Sequence, residues 1–256
     1  ETHTVEKIEI RSYLQKKILL KDKMLCVVIT NALKEKIKNK YKKILANIIV
    51  LPDCSIDNFN LLKKNKNKKK LKKNKNKIIS YFGHLYKGRG IEQIINISKI
   101  LTQYDFYIIG GDSKNLNFFR NKVLNKNVFF LGYQNFSDIK FLIDKSDILL
   151  CPYQKNVFLK DQKTSTVSIM SPLKIFEYMS SNKPIISSNL NVLKEILKNN
   201  INCIMVNPVN LIEWKNAILK IFKDQKFSNQ ISLNAYNNFK SNYTWDKRVK
   251  KILNNL

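Results

Sequence analysis

The chain is short of the residues that break, staple or metallate a fold: among 256 residues there are 6 glycines, 5 prolines, 4 cysteines and 2 histidines. Cys26, Cys54, Cys151 and Cys203 lie far apart with no CxxC spacing, and only His3 and His84 could join them, so no zinc-type cluster can be read. Four thiols without a pairing pattern suit a reducing cytoplasm. No apolar run approaches the length that crosses a bilayer. The first residues, ETHTVEKIEI, have neither an initiator Met nor a signal-peptide pattern, and the expectation is a piece of a longer protein. Acidic residues are also scarce, 19 against 47 Lys plus Arg, which gives a net charge of +28.

What is present is a chain with 44% hydrophobic and 11% aromatic residues, enough for a real core in one large or two smaller domains. The positive charge suggests nucleic acid, because clustered cations displace counterions from phosphate backbones. Its distribution argues otherwise. The densest run, LKKNKNKKKLKKNKNK from Leu62 to Lys77, is low-complexity Lys and Asn without interleaved aromatics for base stacking. The charge is read as compositional drift with a weaker attraction to anionic membrane surfaces, and no nucleic-acid partner is expected. Residues 59–77 cannot bury enough apolar surface to fold and are expected to form a linker.

After that run the pattern alternates. Ile78–Phe82 reads as a strand, Gly83–Gly90 as a glycine-bearing turn, Ile91–Thr102 as an amphipathic helix and Phe106–Ile109 as a buried strand ending at Gly110–Gly111. A helix over Leu116–Leu124, a strand Val128–Leu131, a helix Ser137–Lys145, a strand Ile148–Cys151, a helix opening at Ser171–Pro172 and a strand Pro184–Ser187 continue it. Such alternation predicts an α/β fold with a Rossmann-like, doubly wound parallel sheet. Ligands in such sheets bind beyond the carboxyl ends of the strands, where Gly83–Gly90, Gly132–Tyr133 and Ser171–Glu177 fall.

SPLKIFEYMSSNKPIISSN, from Ser171 to Asn189, is the densest of these units. Ser171 can cap a helix and Pro172 suits its first position. The free N–H groups and dipole there favour an anion, for which Lys174 is the nearby cation. Ile175, Phe176 and Met179 face the core in this reading, with Lys174 and Glu177 together on the opposite face at i,i+3 spacing. The plainer reading is an amphipathic helix with a solvated ion pair.

FGHLYKGRGIE, VFFLGYQ, SDILLCPY, SPLKIFEYMSSNKPIISSN and YTWDKRVKKIL, in that order, resemble the nucleotide-binding lobe of family 4 glycosyltransferases of the GT-B architecture, over Ile78 to the end. Cys26–Ile29 as a strand, Asn31–Tyr41 as a helix and Asn47–Leu51 as a strand before Pro52–Asp53 are similar to the last βαβ portion of that family's acceptor lobe. The implied organisation is a remnant of the acceptor lobe over 1–58, the linker, a nucleotide-sugar lobe over 78–240, and a C-terminal helix over 241–256 that packs back on the first lobe with Trp245 as anchor. Roughly a hundred residues of the first lobe would be absent, given domains on the order of 150 residues.

The resemblance also implies roles. ETHT is similar to the loop that holds a His facing the donor sugar, so His3 matches that residue; by itself a His near the start is an uninformative surface residue. Gly83 and Gly90 let the backbone approach a diphosphate. Arg89 matches the phosphate-binding cation, its planar donors suiting a bidentate grip. His84 replaces a second cation, for which Lys87 or Lys174 would compensate. Glu177 matches the carboxylate that accepts both ribose hydroxyls. A further Glu facing the sugar in many members is Ile169 here, so the sugar contact is unsupported, and Ser171 and Lys174 would carry more of the donor. Tyr133 and Tyr153 are either base-stacking residues or ordinary half-buried aromatics. The implied activity is retaining transfer of a sugar from a nucleotide-diphosphate donor to an envelope or polysaccharide acceptor, glycan or lipid-linked. It requires no metal or cofactor, because Arg89, Lys174 and the helix start stabilise the leaving diphosphate. The implied location is the cytoplasm, with peripheral contact at the inner face of the membrane. The rival reading is a basic, non-catalytic binding protein or inactive fragment on the same scaffold; a phosphorylase or epimerase would also suit the architecture.

Overall fold

A computed structural model describes residues 9–41, 43–57, 76–159 and 165–256. His3 and most of the expected linker lie outside the described residues. After α1 (Glu9–Leu19), strand β1 (Leu25–Val28), helix α2 (Asn31–Lys40) and strand β2 (Asn47–Val50) form one unit. The strands pair in parallel, from Leu25 opposite Asn47 to Val28 opposite Val50. Thr30 opens α2 because its hydroxyl accepts the Leu33 N–H, and Leu33 and Ile37, one turn apart, then reach a core with Val28, Ile29, Tyr41 and Ile48.

The second unit is a sheet of six parallel strands in the order β5-β4-β3-β6-β7-β8. They are β3 (Ile78–Phe82), β4 (Asp105–Ile109), β5 (Val128–Gly132), β6 (Ile148–Cys151), β7 (Ile185–Ser188) and β8 (Ile204–Val206). Helices α3 (Ile91–Ile100), α4 (Ser113–Arg120), α5 (Phe136–Lys145), α6 (Leu173–Met179), α7 (Leu211–Lys223), α8 (Gln225–Asn242) and α9 (Trp245–Leu253) complete the described chain. β3 and β6 are buried throughout because both faces of a parallel sheet are covered. Successive side chains go to opposite faces: Ile79, Tyr81, Ile148 and Leu150 join one core with Trp214 and Ile218, while Phe82, Leu149 and Cys151 join another with Phe176 and Phe239.

The expected parallel α/β fold is therefore present, with β3 and β6 at the bounds the sequence predicts. The helix expected over Leu116–Leu124 begins earlier, at Ser113, because Asp112 follows the two glycines and caps it by accepting the Asn115 N–H. β8, α7 and α8 had no sequence-based expectation.

The terminal helix α9 does pack on the exit of the first unit, but Trp245 is not what holds it. The indole remains 45% exposed, whereas Arg248 is buried and donates to the carbonyls of Pro52 at 3.0 Å and Leu51 at 3.3 Å. The surface beneath α9 offers backbone acceptors, which a planar guanidinium with several donors satisfies and an indole cannot. Among the described residues no helix is long and apolar enough to cross a membrane.

Candidate functional site

The strand order reverses between β3 and β6, and the loops leaving these two strands part there. A cleft of about 570 Å³ opens at that point, lined by Gly83, His84, Arg89, Tyr153, Lys174 and Glu177 at one end and by Ile29, Asp53, Thr166 and Ile169 from the side of the first unit. Phe136, Ile139 and Lys140 of α5 form a further wall opposite Pro172 and Leu173.

The turn after β3 is built by contacts at both of its ends. Gly83 N–H continues the sheet by donating to Ile109 O at 2.9 Å, and Tyr81 O–H donates to His84 O at 2.6 Å. Gly83 lines the cleft as expected; a Cβ there would stand 2.9 Å from Lys174 Nζ. Gly90 is fixed by packing. Its φ of +84° caps α3, and a Cβ would lie 1.8 Å from the carbonyl oxygen of Pro152, so packing against the β6 exit alone requires its missing side chain. Gln154 N–H donates to Gly88 O and Phe158 N–H to Lys87 O, which fastens the turn to the same loop. Between these fixed glycines Arg89 reaches Tyr153, with Nη1 3.5 Å from the hydroxyl and the guanidinium carbon 5.5 Å from the ring centre. Its Nε is buried without a hydrogen-bond partner.

Helix α6 carries the other half. Tyr178 sets its position by accepting the Phe82 N–H at 2.9 Å, at the end of β3. Lys174 is not on a solvated face as the spacing predicts. It is 9% exposed, its Nζ has no hydrogen-bond partner, and it lies 3.8 Å from the centre of the Tyr81 ring and 5.0 Å from that of Tyr153. In place of a solvated ion pair with Glu177, the Lys174 amine is buried against the Tyr81 and Tyr153 rings. A cation over an aromatic face gains about 2 kcal/mol when desolvated, while taking the ion out of water costs several. Burial wins: it lowers the Lys174 pKa to about 7, with Arg89 adding repulsion and Cys151 and Glu177 opposing. The Glu177 carboxyl is pushed up, also chiefly by burial, with Lys174 pulling it back. His84, stacked on Tyr86 at 4.8 Å, is pushed down by burial and then by Arg89 and Lys174, with Asp112 opposing, and so stays neutral.

The opposite end spends its polar atoms on holding the two units together. Thr30 Oγ1 donates to Ile169 O at 3.2 Å, and Asn31 and Ala32 N–H both donate to the Glu195 carboxylate. Ser171 does not cap α6. Its hydroxyl accepts the Asp53 N–H at 3.1 Å, and Pro172 takes the cap position, with ψ of 117° and no side-chain bond, so α6 begins at Leu173. Ile169 packs into the core of the first unit, which accounts for an apolar residue at that place.

The cleft thus brings together Gly83, His84, Arg89, Ser171, Pro172, Lys174 and Glu177. Of the two Lys residues proposed to compensate for His84, Lys174 lines the cleft and Lys87 does not, its Nζ lying 5.4 Å from the Phe158 ring centre. Tyr133 is 84% exposed and outside the cleft lining, neither stacked there nor half-buried. Tyr153 is fully buried and in the cleft. The sequence reading missed Tyr81 and Tyr178; the EYM triplet marked Tyr178's helix without showing which hydrogen bond it makes. It also missed Phe136, which is exposed in the cleft with Lys140 Nζ 4.1 Å from its ring centre.

The described residues thus form a doubly wound parallel sheet whose switch-point cleft brings Arg89, Lys174 and Glu177 together. The chain belongs to the Glycosyl transferases group 1 family, which it matches over residues 63–238. Two uncharacterized glycosyltransferases of Methanocaldococcus jannaschii are similar: one is 26% identical over 188 residues, 70% of this chain and 44% of the relative, the other 24% identical over 242 residues, 92% and 58%. The chain therefore spans about half the length of these relatives. Among solved structures, a glycosyltransferase from Rickettsia africae superposes with a TM-score of 0.72 at 20% identity over 97% of this chain and 66% of its own. Anabaena HepE, in complex with UDP and glucose, gives 0.70 at 16% identity over 99% and 69%. These likenesses are to GT-B glycosyltransferases, and the fold is of that kind.

Proposed function

We propose that this chain carries the donor-binding part of a retaining glycosyltransferase that takes a sugar from a nucleotide diphosphate and passes it to a glycan or lipid-linked acceptor. The observation that carries the reading is that Arg89 and Lys174, each with a buried nitrogen lacking a hydrogen-bond partner, line the same cleft as Glu177, which follows Lys174 by one turn of α6. Buried cationic groups without partners are costly for folding alone, and a diphosphate supplies what they lack. Glu177, an acceptor-only group when ionised, suits two ribose hydroxyls. As the sugar leaves, charge grows on the diphosphate; Arg89 and Lys174 face it in a site whose partial dryness strengthens the interaction. His84 contributes a neutral donor. His3 would face the sugar from the first lobe, and the acceptor would be an envelope or polysaccharide precursor met at the inner face of the membrane. The Anabaena relative's complexes with UDP and with UDP-glucose make uridine diphosphate sugars the first donors to try.

The test is calorimetry with UDP-glucose, GDP-mannose and ADP-glucose on wild type and Glu177→Ala. One of the three should bind, and the variant should bind it about a hundredfold more weakly, the loss of hydrogen bonds to a charged acceptor being about 3 kcal/mol. An unaltered affinity in the variant removes Glu177 from the ribose site. Tighter binding of DNA than of any nucleotide sugar at physiological salt would favour a basic binding protein instead.

A further inference from the structure

Lys174 and Arg89 both approach the Tyr153 ring: Nζ is 5.0 Å and the guanidinium carbon 5.5 Å from its centre. Arg89 acts against a positive charge on Lys174, and Lys174 Nζ is buried without a hydrogen-bond acceptor. Its surroundings are Tyr81 on β3, His84 and Arg89 on the following turn, Cys151 and Tyr153 at the end of β6, and Glu177 on its own helix. We propose that Lys174 waits in the empty cleft as a neutral amine and takes a proton from solvent when a diphosphate arrives, so that donor binding is proton-coupled and weakens in alkali. This rests on the diphosphate reading above.

The balance is simple. The amine lone pair accepts one proton from water, no bond in the donor changes, and the ammonium then stands against the anion. When the donor sugar departs and the diphosphate gains negative charge, the cation is already in place. When the diphosphate dissociates, the proton returns to solvent and the buried cation is not left unpaired.

Few neighbours titrate in the same range. His84 is held below its ordinary value and is neutral above pH 7. Burial raises Tyr81, Tyr153 and Cys151, the last to about 12, so they keep their protons. Glu177 is raised from an acid value, and Lys140 across the cleft is lowered from 10.5. Lys174, at about 7, titrates at the lower edge of the pH 7 to 9 range, and substitution of Lys174 separates its contribution from those of Glu177 and Lys140.

The probe is UDP-glucose, whose two phosphates each carry one fixed charge across this range, unlike those of free UDP. In wild type its Kd should rise about tenfold per pH unit between pH 7.5 and 8.5, the linkage expected for one proton taken up on binding. In Lys174→Arg, which stays charged, the Kd should vary less than twofold over the same range. If Arg does not fit and that variant fails to fold, Lys174→Met replaces it, with weak binding and the same flat profile. A flat wild-type profile, or an equal slope in the variants, overturns the proposal and leaves the nucleotide reading standing. Should no nucleotide sugar bind, the same titration with sulfate, also of fixed charge, separates the two ideas: a Lys174-dependent slope keeps the proton-coupled anion site without the nucleotide, and absence of sulfate binding overturns both.

Discussion

The two ends of the cleft use polar groups in opposite ways. At the end formed by β3, β6 and α6, Lys174 Nζ and Arg89 Nε are buried without hydrogen-bond partners. Where the cleft meets the first unit, polar groups in and beside it bond across the contact: Thr30 to Ile169, Asp53 to Ser171, and the start of α2 to Glu195. Folding explains the second arrangement by itself, since each bond satisfies a donor that would otherwise be buried. It does not explain the first. The difference separates the proposed binding end from a joint; Ser171 lines the cleft, but its hydroxyl is engaged by Asp53 at the joint.

That contrast can be broken by substitution, beginning with the turn on which Arg89 is mounted. Gly90→Ala should lower unfolding stability by about 3 kcal/mol or more in urea titrations, since the new Cβ meets the Pro152 carbonyl at a positive φ; a loss under 1 kcal/mol would mean that the turn is not fixed by the β6 exit. Next comes Lys174→Met. The folded Lys174 pKa of about 7 lies below the ordinary 10.5, so the unfolded chain binds more protons between these values and wild-type stability should rise with pH there. Up to about 1.4 kcal/mol per pH unit of that slope should vanish in the variant, measured as the difference between the two proteins so that the general effect of net charge cancels. Glu195→Ala should cost about 1 kcal/mol by removing the acceptor of the Asn31 and Ala32 N–H groups, with the Thr30 cap left in place. It should speed amide exchange in the first unit while changing nucleotide affinity less than twofold, and an equal loss of affinity would show the joint to be part of the site. The smallest effect concerns the terminal helix: Trp245→Ala should cost under about 0.5 kcal/mol, as expected of an exposed position, and clearly less than Arg248→Ala.

Much of the frame was legible because it is local. Ile78–Phe82 and Ile148–Cys151 are short, apolar and rich in β-branched or bulky residues, and they form strands at those bounds. The carboxylate and the cations of the cleft were also legible, on motif resemblance joined to the rule that ligands gather beyond the strand ends. What was not legible depends on distant partners. SPLK satisfies every local requirement for a serine cap, yet Asp53 N–H, 118 residues away in sequence, takes the hydroxyl. The spacing of Lys174 and Glu177 suggests a surface pair, and nothing local says that Tyr81 and Tyr153 from two strands converge on the amine. Gly90 has a packing requirement that was equally hidden, because Pro152, which its Cβ would meet, comes from the loop after another strand.

The central claim is that the β3–β6 end of the cleft, and not its joint with the first unit, receives the nucleotide. Amide chemical-shift mapping with a bound nucleotide sugar, UDP-glucose first, tests it most directly. The account predicts the largest shifts at Gly83, His84, Arg89, Lys174 and Glu177, with Thr30 and Asn31 nearly unmoved. Shifts concentrated at Thr30, Asn31 and Thr166, with the first group silent, would contradict it.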